Sequence, residues 1–77
     1  MTLNVKKLES KMRSHALVDA RVEVEIGTDR LSKALEALKT LAEFEPVLAG
    51  HVKQTQLALD RMRKLTNLII NMERVSP

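Results

Sequence analysis

The sequence predicts an all-α fold: an antiparallel helical hairpin of two long helices, with a possible separate or kinked N-terminal helix. Three observations lead to this prediction. Apolar residues recur at steps of three and four along most of the 77-residue chain, Pro46 interrupts the pattern, and no pair of strand-like segments is present. One helical domain over residues 1–77 follows, with segments at 1–16, 17–44 and 46–74.

The N-terminal segment, residues 1–16, has helical spacing of its own. Val5, Leu8 and Met12 fall on one helix face, and Thr2 or Asn4 can cap the first turn by accepting a hydrogen bond from a free backbone amide. This stripe is out of register with the apolar positions that follow residue 16. We therefore expect residues 1–16 to form a separate or kinked helical segment.

The second segment, residues 17–44, contains a heptad pattern. One heptad position is occupied by Leu17, Val24, Leu31 and Leu38. Its partner position is occupied by Ala20, Gly27, Ala34 and Leu41. All eight residues are apolar or glycine, which predicts one buried helix face.

The stretch "VEVEIG", residues 22–27, also fits a half-buried strand that runs into a turn. A single strand without a partner is not stable, so helix is favoured although Gly27 costs about 1 kcal/mol relative to alanine in a helix interior. Two helical alternatives stay open. Either a continuous or kinked helix passes through Gly27, or a new helix starts there with Thr28 or Asp29 as its cap.

Pro46 marks the boundary between the two long helices. Proline suits the first turn of a helix and disfavours helix at the residue before it, so one helix ends near Phe44 and the next begins near Pro46. The heptad pattern of the second helix starts at Leu48 and comprises Val52, Thr55, Leu59, Met62, Thr66 and Ile69. Each helix would be about 40 Å long, and the short link makes them antiparallel.

Composition excludes several classes of function. The chain has no cysteine, a net charge of +3 and 1% aromatic residues, and His15 and His51 lack the companions that a metal site needs. No long apolar run suggests a signal peptide or a membrane span. We therefore expect a cytoplasmic protein that is not an enzyme, has no cofactor or metal, and binds neither membrane nor nucleic acid.

The C-terminal stretch "LTNLIINM" has apolar residues on more than one helix face. They are Leu65, Leu68, Ile69, Ile70 and Met72, and further apolar residues off the main stripe are Val22, Ile26 and Leu57. A helix that is apolar on two faces is covered on two sides. A partner protein is one possible cover, and an N-terminal helix that folds back is another.

Three stretches carry a resemblance to a known family. "LESKM", "RLSKALEALKTL" and "LALDRMRKLTNLII" resemble, in order and spacing, the small helical co-chaperones of bacterial type III secretion, across most of residues 5–72. Members of that family bind the needle subunit together with a tetratricopeptide-repeat chaperone. The resemblance implies a hairpin that docks on the repeat chaperone and shields the apolar surface of the needle subunit before export.

The hairpin seam and the docking surface are expected to share one set of apolar residues. This set is Leu31, Leu35, Leu38, Leu41, Leu59, Met62, Leu65, Leu68, Ile69 and Met72. The sequence does not separate the two roles.

Two alternative functions stay open. "FEPVLAGHVKQTQLAL" resembles the turn and second helix of the needle subunits themselves, which would make the chain a filament subunit, although that turn usually carries two prolines. Alternatively, two copies of the hairpin can cover each other's apolar faces as a four-helix bundle with a regulatory role. The co-chaperone interpretation is preferred.

Overall fold

The computed structural model describes the backbone of residues 2–75 and the side chains of residues 8–75, and it confirms the all-α hairpin. Helix α1 spans Thr2–Phe44, a 3₁₀ turn spans Pro46–Leu48, and helix α2 spans Ala49–Val75. The helices pack against each other as a rod of 64 × 15 × 14 Å. The predicted caps Thr2 and Asn4 and the stripe residue Val5 lie outside the described side chains.

Helix α1 continues through Gly27 without interruption, so the alternative of a new helix that starts there is wrong. Thr28 does not act as a cap, because its Oγ1 donates to the Val24 carbonyl oxygen at 2.7 Å, one turn earlier in the same helix. Residues 22–26 are helical despite their alternating pattern. Residues 2–16 belong to the same helix, so no helix ends at the expected boundary after residue 16.

The link between the helices is short and lies where Pro46 predicts it. Helix α1 ends at Phe44, and Glu45 leaves the helical conformation with φ −126° and ψ 82°. The backbone amide of Glu45 donates to Leu41 at 2.9 Å, and the amide of Leu48 donates to Glu45 at 3.0 Å. Residues 46–48 therefore enter the second helix as a 3₁₀ turn instead of as its first α-helical turn.

Helix α2 presents the predicted heptad to α1. Every residue of this seam is buried or half-buried; the set is Leu48, Val52, Thr55, Leu59, Met62, Thr66, Ile69 and, one step further, Glu73. Leu59 is 2% exposed and Ile69 is 7% exposed. The regular alternation of four- and three-residue steps keeps these side chains on one face along the whole helix.

The α1 side of the seam departs from the predicted heptad in its second half. Leu17, Val24, Leu31 and Leu38 face α2 as predicted, and Ala20 and Gly27 are half-buried. Ala34 and Leu41 are exposed, however, whereas the residues after them, Leu35 and Ala42, are buried and half-buried respectively. An α-helix has 3.6 residues per turn, so a seven-residue repeat drifts by about 20° per heptad and the buried edge moves on by one residue.

Candidate protein-docking face

The described residues hold no cluster of side chains typical of metal binding. Among them, no three His, Cys, Asp or Glu side chains converge as metal ligands, and no buried side-chain nitrogen or oxygen lacks a partner. His15 and His51 are exposed. Neither helix, within the described residues, combines the length and the hydropathy needed to span a lipid bilayer. Any site must therefore be sought on the surface of the hairpin.

The residues predicted to bind a partner separate into two groups in the structure. The seam contains the buried or half-buried members Leu31, Leu35, Leu38, Leu59, Met62 and Ile69. The surface contains the exposed members Leu41, Leu65, Leu68 and Met72. Seam side chains contact the other helix of the hairpin, whereas the second group is open to solvent. The structure thus divides by burial a set of residues that the sequence pattern left undivided.

Four exposed apolar residues form a second stripe along α2, which we call the outer stripe: Leu65, Leu68, Met72 and Val75. Their exposed fractions are 44%, 51%, 38% and 78%. Leu68 and Met72 each stand one residue before a seam residue, which places the stripe about 100° around the helix from the seam. Val75 was not among the predicted residues, although its spacing after Met72 continues the same series. Leu41 lies apart from the stripe, close to the link.

Small residues occupy part of the α1 face that packs on α2. A Cβ atom placed on Gly27 would lie 3.0 Å from Cε of Met62, so this edge of α1 approaches α2 closely there. Met62 precedes Leu65 by one helical turn, and Ala20 precedes Gly27 by seven residues and occupies the same edge of α1. Glycine and alanine project little, which allows the two helices to approach each other closely at this edge. Leu65 itself is 44% exposed.

The first part of α1 extends past the end of α2. Helix α1 has 43 residues and α2 has 27, and every side chain described from residue 8 to residue 13 is exposed. We call residues 2–13 the overhang. A shallow depression at its base, where α2 ends, is lined by Ser14, Leu17, Val18 and Glu73. Residues 2–16 continue α1 in the same helix, so the alternative in which an N-terminal helix folds back over the C-terminal apolar surface is wrong.

The overhang contributes exposed apolar side chains that the sequence interpretation did not assign to a site. Leu8 is 59% exposed and Met12 is 63% exposed. Their four-residue spacing is continued by the exposed Ala16 and the half-buried Ala20, so the row runs from the overhang to the part of α1 that packs on α2. That periodicity was visible in the sequence, but it could not show that α2 stops before it reaches these residues.

An ion pair marks the place where α2 ends against α1. Arg21 Nε donates to both carboxylate oxygens of Glu73 at 3.0 Å, and this hydrogen bond, with the negative charge of Glu73, raises the pKa of the Arg21 guanidinium. Arg21 also lies 3.7 Å from Glu25, one turn along α1. The end of the hairpin is thus held by polar contacts, while the outer stripe beside it stays apolar and exposed.

Comparison of the chain with protein-family models, with curated proteins and with solved structures finds no match.

Proposed function

We propose that this protein is a non-enzymatic protein-binding module that docks an amphipathic helix of a partner on its outer stripe. The observation that carries the proposal is the row of Leu65, Leu68, Met72 and Val75, which are exposed at helical spacing along α2. A helix laid in an apolar groove anchors itself through residues at the same three- and four-residue spacing. Burial of these side chains supplies the driving force for binding.

For the partner, we propose the needle subunit of a type III secretion system, held together with a tetratricopeptide-repeat chaperone in the cytoplasm before export. Support comes from the resemblance of three sequence stretches to the co-chaperones of that system and from the hairpin architecture. A needle subunit is itself an amphipathic helix pair that assembles through its apolar faces. A hairpin with one apolar face left open has the shape needed to cover such a face.

Self-association is a second candidate function, because α2 carries two apolar stripes as a helix of a four-helix bundle does. In that arrangement, the outer stripes of two copies cover each other. The two candidates predict different solution masses for the purified chain. A chain that awaits a partner stays monomeric, whereas a bundle former is dimeric at low micromolar concentration.

The test is co-expression of the chain with the needle subunit and the repeat chaperone encoded in the same genome, followed by measurement of the mass of the purified complex by light scattering. A stable three-protein complex is expected. The Leu65→Asp variant should abolish it. Ile26→Asp is the matched control, because Ile26 is also 44% exposed but lies two residues from both Val24 and Thr28, on the side of α1 away from the seam.

Three results would contradict the proposal. The first is that the chain, purified after co-expression, contains neither of the other two proteins. The second is equal loss of the complex in Leu65→Asp and Ile26→Asp. The third is a dimer of the purified chain that Leu65→Asp dissociates, which would establish self-association in place of the co-chaperone role.

A further inference from the structure

The net positive charge of the chain comes from the overhang. The first 13 residues contain four basic side chains, Lys6, Lys7, Lys11 and Arg13, and one acidic side chain, Glu9. The other residues contain nine basic and nine acidic side chains. The whole formal net charge of +3 therefore belongs to the overhang, and the remainder of the hairpin is neutral.

The side chains described in the overhang, those of residues 8–13, are all exposed. They include the charged Glu9 and Lys11 and the apolar Leu8 and Met12 on either side of them. The overhang is about 18 Å long at 1.5 Å per residue, which is too short for stable helix formation in isolation. A basic helix with an apolar row gains stability when an oppositely charged surface covers it.

We propose that the overhang is a docking site for an acidic amphipathic helix of the partner protein. This proposal rests on the proposed function, because the same partner helix would lie on the outer stripe and continue onto the overhang. Leu8, Met12, Ala16 and Ala20 recur at four-residue steps along α1, from the overhang to the part of α1 that packs on α2. Together the two surfaces extend roughly 33 Å, which corresponds to about 22 residues of α-helix.

Charge and composition favour this occupant over three others. A second copy of the chain cannot cover the overhang with its own overhang, because both carry a charge of +3 and like charges repel. A lipid surface is recognised by helices with several large apolar and aromatic anchors, whereas the overhang has no aromatic residue. Single-stranded nucleic acid is bound through stacking on aromatic side chains, which the overhang also lacks.

The experiment uses the full chain and two synthetic amphipathic helices of about 22 residues. Both peptides have the same leucine and alanine positions; one has glutamate and the other lysine at the remaining positions. Binding is measured by fluorescence anisotropy at low and at high salt. The acidic peptide is expected to bind more tightly than the basic one, and its affinity should fall as salt screens the charges.

Two variants of exposed overhang residues test the charge directly. Lys11→Glu should weaken binding of the acidic peptide by about threefold to tenfold, and Glu9→Lys should strengthen it by a similar factor. Both substitutions exchange residues of similar helix propensity, so the fold is preserved. Leu68→Asp, on the outer stripe, should weaken binding of both peptides because apolar contact is lost, and of the acidic peptide more because the new carboxylate repels it.

The outcomes separate this inference from the proposed function. Equal binding of both peptides, with loss in Leu68→Asp, would overturn the acidic-partner inference and leave the docking face in place. No binding of either peptide would overturn both. Binding to vesicles of phosphatidylserine and phosphatidylcholine in preference to the acidic peptide would replace the protein partner with an anionic membrane surface.

Discussion

Arg21 and Glu73 join the two helices at the point where α2 ends. They stand 52 residues apart in sequence, yet the guanidinium Nε lies 3.0 Å from both carboxylate oxygens. Their side chains are 30% and 25% exposed, and Glu73 occupies the next seam position after Ile69. The heptad thus ends in a polar pair, and α1 continues beyond it as the overhang. This contact separates the packed part of the hairpin from the part that is open.

Removal of this pair should loosen the end of α2. In Glu73→Gln, the carboxylate that accepts from Arg21 is lost, so amide hydrogen exchange of residues 70–75 should become faster while the centre of α2 is unchanged. Lys33→Met is the control, because it removes an exposed pair with Asp29 within α1 that connects no second helix. Equal protection of the α2 end in Glu73→Gln and in the unmodified chain would show that the pair does not hold the helices together.

The two glycines should respond differently to alanine. A Cβ atom placed on Gly50 would meet no other atom within 4 Å. Gly50→Ala should therefore stabilise the fold by roughly 0.5–1 kcal/mol through helix propensity. Gly27→Ala should gain less, because the new Cβ would meet Met62 Cε at 3.0 Å and that flexible side chain must move. Urea unfolding measures both effects. In a Met62→Ala background the gain from Gly27→Ala should increase; a constant gain would contradict the contact.

The core is small, so its largest buried side chain should dominate stability. Leu59 is 2% exposed, and Leu59→Ala should cost about 2–5 kcal/mol, enough to unfold much of a marginal domain. Leu57 is 45% exposed on the same helix, and Leu57→Ala should change the free energy of unfolding by about 0.5 kcal/mol or less. Thermal unfolding followed by circular dichroism compares the two. Similar losses in both would mean that α2 does not pack on the seam described above.

A proline in the overhang should leave the hairpin intact. Ser10 is exposed and precedes the packed part of α1, so Ser10→Pro should interrupt the helix locally without lowering the unfolding midpoint. Ser32 is half-buried next to Leu31 in the seam, and Ser32→Pro should cost about 3 kcal/mol or more. A large drop in the midpoint for Ser10→Pro would show that the overhang is coupled to the core.

The outer stripe should be dispensable for folding and required for binding. Leu68 is 51% exposed, so Leu68→Asp should keep the helical content of the free chain while it abolishes partner binding. Circular dichroism and the peptide binding experiment measure the two properties on one sample. If Leu68→Asp loses both helical content and binding, Leu68 belongs to the core instead of to the surface.

The sequence by itself determined the helices, the link at Pro46 and the seam of α2. These features are local: apolar periodicity, proline stereochemistry and helix propensity act within a few residues, and the α2 heptad from Val52 to Ile69 holds over the whole helix. The sequence also showed that the C-terminal stretch is apolar on two faces. The sequence therefore predicted a docking function, but it did not show which apolar residues are exposed for docking.

Only the tertiary structure decided which apolar residues are inside and which are outside. The choice between the two faces of α2 depends on where α1 lies, and α1 drifts so that Leu35 is buried while Leu41 is exposed. The length of the overhang depends on where α2 stops against α1, a contact between residues 52 positions apart in sequence. Such distant relationships arise from packing, because local periodicity gives each helix its faces but not the face that its neighbour covers.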